Sequence, residues 1–331
     1  MSGVSPAEVA AARRRGRRRL AFRVLGSVTI LGALLWFLPF DELKDALGRI
    51  PPLAWAAALA VYLCLHLLGV TKWHLMVNAA GGGFRFTDAV RCYYYGLFGN
   101  TFLPSLVGGD AVRAGLALRL ARGKAGLLLG SVLDRMLDVA GLATLAAVGA
   151  LVIPGALGPE ARTIFWWLAG LGALAGVAGV VAILLLPARR FPFRLRRILA
   201  RLRGAVRELA RRPVQVAAAF TLGLGLQAAL VCLNAWLGHA CGIDIALHAW
   251  FFAWPMAKIS ALIPVTQGGI GIREAALSAL LAPFGVAPVL AFAAGLVFQA
   301  VILSGGLVGG LIAFLLGRRQ GAAPALAGTL A

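Results

Sequence analysis

Two stretches of this chain repeat a spacing of residue types suited to holding an anion. The first runs from Pro104 through Gly108, Gly109 and Asp110 to Arg113; the second runs from Pro264 through Gly268 and Gly269 to Arg273, with Glu274 next. Proline ends an incoming helix because it lacks the backbone N–H that the helix needs. Paired glycines let backbone approach a ligand closely. A short helix then begins near Asp110 in one copy and near Ile270 in the other. Its unpaired N–H groups and positive dipole end attract negative charge. Arg113 and Arg273 stand one turn in, and a guanidinium grips phosphate through paired donors. A tight turn that needs glycine only for packing is the alternative for one copy alone, whereas two copies with matched arginines favour a site. Asn100, Thr266 and Gln267 could add neutral hydrogen bonds. The copies are not chemically equal, since Ile270 stands where the first has Asp110, and Glu274 has no counterpart.

Further charges sit in apolar surroundings: Asp134, Arg135, Asp138 and Lys258. A charge at mid-membrane costs about 3 to 17 kcal/mol, depending on how far it can snorkel or pair. Asp134 and Asp138 are one helical turn apart, and Arg135 reaches Asp138 at i,i+3. Two readings stand: an ion-paired network that ties helices together, or a gating or proton-coupling network lining a wet cavity.

The elements that carry these residues follow from composition. The chain has 331 residues, of which 61% are hydrophobic and 13% charged, about half the charge of an ordinary soluble domain. Several apolar runs are long enough to cross some 30 Å of hydrocarbon. The runs are continuous and do not alternate, which excludes a barrel. The expected fold is an all-α polytopic membrane protein with about six full transmembrane helices. Candidate spans are 21–39, 53–77, 127–153, 163–186, 214–238 and 286–316. Shorter apolar stretches, 92–103 and 245–263, lead into the motifs, and short helix-like stretches, 111–121 and 273–283, follow. Each lead-in and return is read as a re-entrant hairpin.

Charge placement supports the hairpins. The basic run Arg13 to Arg19 places the N-terminus in the cytoplasm, and the first span lacks a small-residue cleavage site, so it reads as retained. The acidic Asp41–Asp45 loop then falls outside. A second loop, with Lys72, Arg85 and Arg91, falls inside, as do the arginines of 189–212 and Arg318. Full crossing by 92–107 would put the basic clusters outside, against the orientation rule. Three crossings separate the motifs, so the halves, about 53–153 and 214–316, are expected to be inverted repeats. The expected organisation is a basic N-terminus (1–20), a membrane domain (21–316) and a disordered Ala/Gly/Pro-rich tail (317–331). Within it, 189–212 reads as an amphipathic interfacial helix, with Leu195, Ile198, Leu199, Leu202, Val206 and Leu209 on one face and arginines on the rest.

The net charge of +20 therefore reads as orientation and attraction to anionic lipid, not as nucleic-acid binding. Cys64, Cys92, Cys232 and Cys241 form no CxxC pair and read as packing residues. No metal or cofactor is expected, and no phosphate-loop or serine-elbow motif is present. Gly305/Gly309 and Gly306/Gly310 suit close packing in the last span.

Three segments together resemble the flippase-like transmembrane family, the membrane domain of lysylphosphatidylglycerol synthases, also found as stand-alone proteins. They are Asn100 to Arg113, Ser131 to Arg135, and Ile263 to Ala275. The resemblance covers about 20–317. It implies that Asp110, Arg113, Arg135, Arg273 and Glu274 are functional, and that the lipid is an aminoacyl-phospholipid, a polyprenyl-linked sugar or hopanoid-like. No soluble transferase domain is expected here.

The leading expectation is a lipid flippase of a bacterial inner membrane, multi-pass, with both termini cytoplasmic and no enzymatic activity. The substrate-binding residues would be Asn100, Gly108, Gly109, Asp110, Arg113, Gln267, Gly268, Gly269, Arg273 and Glu274. Asp134, Arg135, Asp138 and Lys258 would gate or carry protons. A membrane partner for a lipid-modifying enzyme and an intramembrane lipid enzyme are the alternatives.

Overall fold

A computed structural model of the chain describes residues 50–102, 108–152, 192–261 and 271–327, with isolated positions elsewhere. The described residues are helical throughout, joined by short turns, as expected for a polytopic helical membrane protein. The candidate spans 21–39 and 163–186 lie largely outside them.

Helices α1 (Pro52–Ala79) and α6 (Pro213–Ala240) have 28 residues each and start on proline, which suits a first helical position whose N–H has no partner. At 1.5 Å per residue, each is about 42 Å long, enough to cross the hydrocarbon. They also stop alike. Gly81 and Gly242 adopt φ of +84° and +96°, a conformation that glycine reaches without a Cβ clash. The next amides reach back, Gly82 N to Val77 O at 2.8 Å and Ile243 N to Gly238 O at 2.9 Å, closing the same C-terminal cap twice. Two further helices are long and apolar enough to span, α4 (Lys124–Val152) and α9 (Pro288–Ala327). Their outward faces carry exposed Val132, Leu151, Leu307, Leu311 and Phe314. Acyl chains, not water, suit such a surface.

The motif elements are short. Helix α2 (Phe86–Phe102) is followed by the ten-residue α3 (Gly108–Ala117), and α7 (Leu247–Ser260) by the ten-residue α8 (Ile272–Leu281). About 15 Å of helix cannot cross a bilayer. Each lead-in helix packs on its short partner, as a hairpin requires. Helix α2 also lies on α9, and α7 lies on α4, while α1 packs on α6. Exchanging α1–α4 with α6–α9 leaves this set of neighbours unchanged. Glycines permit the close crossings. A Cβ on Gly306 or Gly310 would strike Thr101 or Phe98 of α2, and one on Gly149 would come within 2.6 Å of Phe252 N on α7.

Helix α5 (Phe193–Ala210) falls within 189–212, and Ile198 of its expected apolar face is exposed. Leu202, Ala205 and Val206 pack on Ala80, Leu129 and Leu133, leaving much of its arginine face outward.

Three expectations need correction. Lys72 belongs to no loop: it lies within α1 and is 1% exposed, held by carboxylates that make burial tolerable. Helix α2 begins at Phe86, six residues before 92, because Asn78 fixes the preceding turn. Its Oδ1 accepts from Phe84 N at 2.7 Å, and its Nδ2 donates to Phe84 O at 2.9 Å. The tail expected to be unstructured from 317 continues α9 as far as Ala327, consistent with its high alanine content.

Candidate functional site

Arg113 and Arg273, 160 positions apart in the chain, line one cavity of about 170 Å³. That is room for several waters or a head group whose tails remain outside. Every described α-helix other than α5 contributes. Asn100, Gly109, Asp110, Arg135, Asp138 and Lys258 line the cavity with the two arginines, and Tyr62, His66, Tyr93, Trp254 and Phe298 form an aromatic wall.

Each motif arginine is held in the same manner. The Arg113 guanidinium lies 5.1 Å from the Tyr93 ring, and that of Arg273 lies 5.3 Å from the Trp254 ring. Tyr93 and Trp254 are each the eighth residue of their helices. Arg113 also stacks on Trp73 at 4.6 Å. Such cation–π contacts hold a guanidinium without neutralising it. The final helix of each half adds an acceptor about three turns from its start: Asp134 Oδ2 takes Arg113 Nη2 at 3.2 Å, and Gln299 Oε1 takes Arg273 Nη2 at 2.8 Å. The halves therefore differ in charge where they agree in geometry.

Around Arg113 the charges close into a ring of alternating sign. Lys72 Nζ is 2.9 Å from Asp134 Oδ1 and 2.7 Å from Asp138 Oδ1. Arg113 pairs with Asp134 at 3.2 Å and Asp110 at 3.1 Å. Arg135 joins Asp110 at 2.7 Å and, more loosely, Asp138 at 3.9 Å. The Lys72–Asp134 contact is an ion pair without hydrogen-bond alignment; the ammonium donates to the Asp134 carbonyl at 3.1 Å and to Asp138 Oδ1. Three cations and three carboxylates thus tie α1, α3 and α4 together with no net charge. The gap at Arg135–Asp138 is the weakest link, and Arg135 is also the most exposed member, at 39%.

In the second half, Arg273 pairs with the adjacent Glu274. Glu274 is fully buried, and its Oε2 accepts from Gly271 N at 2.6 Å, capping α8. Gly271 has φ of +88°, which explains a glycine there. On α3, Asn100 Oδ1 accepts from Gly109 N at 2.8 Å. These two amides are therefore satisfied internally. Side chains capped them first because an orphan amide in an apolar setting is costly. Among the described residues, four polar atoms of the cavity lining remain buried without a hydrogen-bond partner: Arg113 Nε, Arg273 Nε, Trp254 Nε1 and His66 Nε2.

The expected residues are distributed as follows. Asn100, Gly109, Asp110, Arg113, Arg135, Asp138, Lys258 and Arg273 meet at the cavity. Asp134 and Glu274 stand behind it as arginine partners, and Gly108 opens α3. Thr266, Gln267, Gly268 and Gly269 lie outside the described residues. Sequence reasoning passed over Lys72, His66, Tyr93, Gln227, Trp254 and Gln299. Lys72 offered a signal, a lone ammonium inside an apolar run. Superposing the halves would have paired Tyr93 with Trp254.

No curated protein matches this chain. The model of the family described as Lysylphosphatidylglycerol synthase TM region matches residues 23–310, most of the chain, and the protein belongs to that family.

Proposed function

We propose that this protein moves a phosphate-bearing anionic lipid between leaflets. The observation that supports it is the meeting of Arg113 and Arg273, from two halves of the chain, at one polar cavity among apolar helices. The head group enters the cavity and its phosphate oxygens bond the guanidinium groups, while the acyl tails stay in lipid. Asp110 and Asp138 each serve more than one cation, so an arriving anion competes with them and loosens the ring. Asp134, Arg135 and Asp138 gate in this way, through exchange of ion-pair partners as α3 moves against α4. The halves act as inverted repeats that open the cavity to each leaflet in turn.

In this reading the protein resides in a bacterial inner membrane with both termini cytoplasmic. Its α5 arginines meet anionic lipid on that side at about 1 kcal/mol per basic residue. It transports without transforming the lipid.

Leaflet exposure of labelled lipid in vesicles containing the purified protein tests the reading. Wild type accelerates exposure of an anionic phospholipid, and both Arg113→Ala and Arg273→Ala slow it on the order of tenfold or more. Wild-type rates in both variants for every candidate lipid would overturn it.

A further inference from the structure

The charge pattern at the cavity reaches beyond the general statement that the substrate is anionic. The ring of Lys72, Arg113, Arg135, Asp110, Asp134 and Asp138 sums to zero, and so does the pair Arg273 and Glu274. Among the described residues, one cavity cation is left over. Lys258 Nζ donates to the neutral Gln227 Oε1 at 2.9 Å, and among the described residues it has no carboxylate within ion-pair distance. The segments 103–107 and 262–270, nearest the site in the chain and outside the described residues, contain no acidic residue. Lys258 is half-buried on α7, in the last turn before Ala261.

An uncompensated ammonium half-buried among apolar helices is costly, and an ionisable residue so placed marks a site for an arriving partner. The unpartnered Arg113 Nε, Arg273 Nε and Trp254 Nε1 belong to the same wall. They are donors without acceptors, and together with Lys258 they ask for oxygen atoms that carry charge. Gln227 positions the ammonium: its Oε1 accepts from Lys258 and its Nε2 donates to Asp138 at 3.4 Å.

We infer that Lys258 is the counter-charge of the transported head group, and that the cavity selects a lipid whose head carries a single negative charge, a phosphodiester without a compensating amine. This rests on the lipid-transport reading above. A zwitterionic head would bring an ammonium beside Lys258, and a head of net positive charge would add repulsion. A phosphomonoester of higher charge would leave negative charge unmatched.

The test is equilibrium lipid binding to the purified full chain, by native mass spectrometry or competition in detergent, with four probes. These are phosphatidylglycerol, phosphatidylcholine, phosphatidic acid and the lysyl ester of phosphatidylglycerol. Wild type is expected to bind phosphatidylglycerol on the order of tenfold more tightly than the other three. Lys258→Gln removes that preference while phosphatidylcholine binding stays the same, and Lys258→Arg keeps it. Lys258→Glu turns the preference toward the lysyl ester. Inorganic phosphate at millimolar concentration leaves bound phosphatidylglycerol in place; displacement would assign the site to free anions and overturn the inference. Wild type that favours the zwitterionic or lysyl lipid overturns it without any variant, so a poorly folding substitution does not shield it. Phosphatidylglycerol bound equally by wild type and Lys258→Gln removes the role of Lys258 and leaves lipid transport standing. Wild type that retains none of the phospholipids removes both.

Discussion

Arg113 and Lys72 show how the membrane interior sorts its charges. Arg113 lies against both Trp73 and Tyr93 and is bonded on one edge to Asp110 and Asp134, yet among the described residues its Nε has no partner. Arg113→Lys is expected to resemble Arg113→Ala in lipid exposure, since an ammonium is a point charge without the planar fork; wild-type rates for the lysine variant would refute that. Lys72 pairs with both Asp134 and Asp138. Lys72→Met leaves Asp134 and Asp138 buried without their shared cation and is expected to cost about 3–5 kcal/mol. Adding Asp134→Asn to Lys72→Met should restore part of the loss, read by thermal unfolding in detergent. Equal melting of the single and double variants would contradict it. The motif arginines were legible because guanidinium groups stand out beside paired glycines in an apolar chain. Lys72 signalled only that a partner must exist, and His66, Gln227 and Gln299 gave no such sign, because one polar residue in a helical run does not show what it faces. Their partners come from packing: α4 for Lys72, α2 for His66, α4 and α7 for Gln227, and α8 for Gln299.

Helices meet here through missing side chains. The start of α3 lies so close to α2 that a Cβ on Gly109 would run into Gly96 O and the Asn100 amide. Gly109→Ala is therefore expected to destabilise by about 1–3 kcal/mol and to slow transport by displacing Arg113. In the same helix, Gly115 has nothing within 4 Å of an added Cβ. There Gly115→Ala is expected to be neutral or to stabilise by up to about 1 kcal/mol. The pair of melting curves checks whether closeness, not glycine as such, is what α3 requires. Helix identity and rough extent were readable from the apolar runs: 53–77 became Pro52–Ala79, and 245–263 became Leu247–Ser260. The early start of α2 was hidden because Thr87, Asp88 and Arg91 look like loop residues, whereas the helix is set by the Asn78 clamp one turn earlier.

At the scale of the whole molecule, the same neighbours on exchange of halves and the twin caps after α1 and α6 carry the proposal of inverted repeats. If α1 and α6 cross in opposite directions, their caps lie on opposite sides. In a chain with its four cysteines replaced, a membrane-impermeant maleimide should label Arg85→Cys from the cytoplasmic side and Asp244→Cys from the other. Labelling of both from one side would reject the inversion. The repeated motif was legible from its spacing alone; the sharing of one cavity was not, because it depends on α2 lying on α9 and α7 on α4, contacts that no local pattern announces.

The central claim, that both halves address one lipid head group, is tested most directly by photo-crosslinking. An anionic phospholipid carrying a photoactivatable group near its phosphate is bound to the purified protein, irradiated, and its adducts mapped by peptide mass spectrometry. The account predicts adducts in both α2–α3 and α7–α8, lost together when either Arg113 or Arg273 is replaced by alanine. Adducts confined to one hairpin, or found only on the outer apolar faces around Leu311 and Phe314, would contradict it.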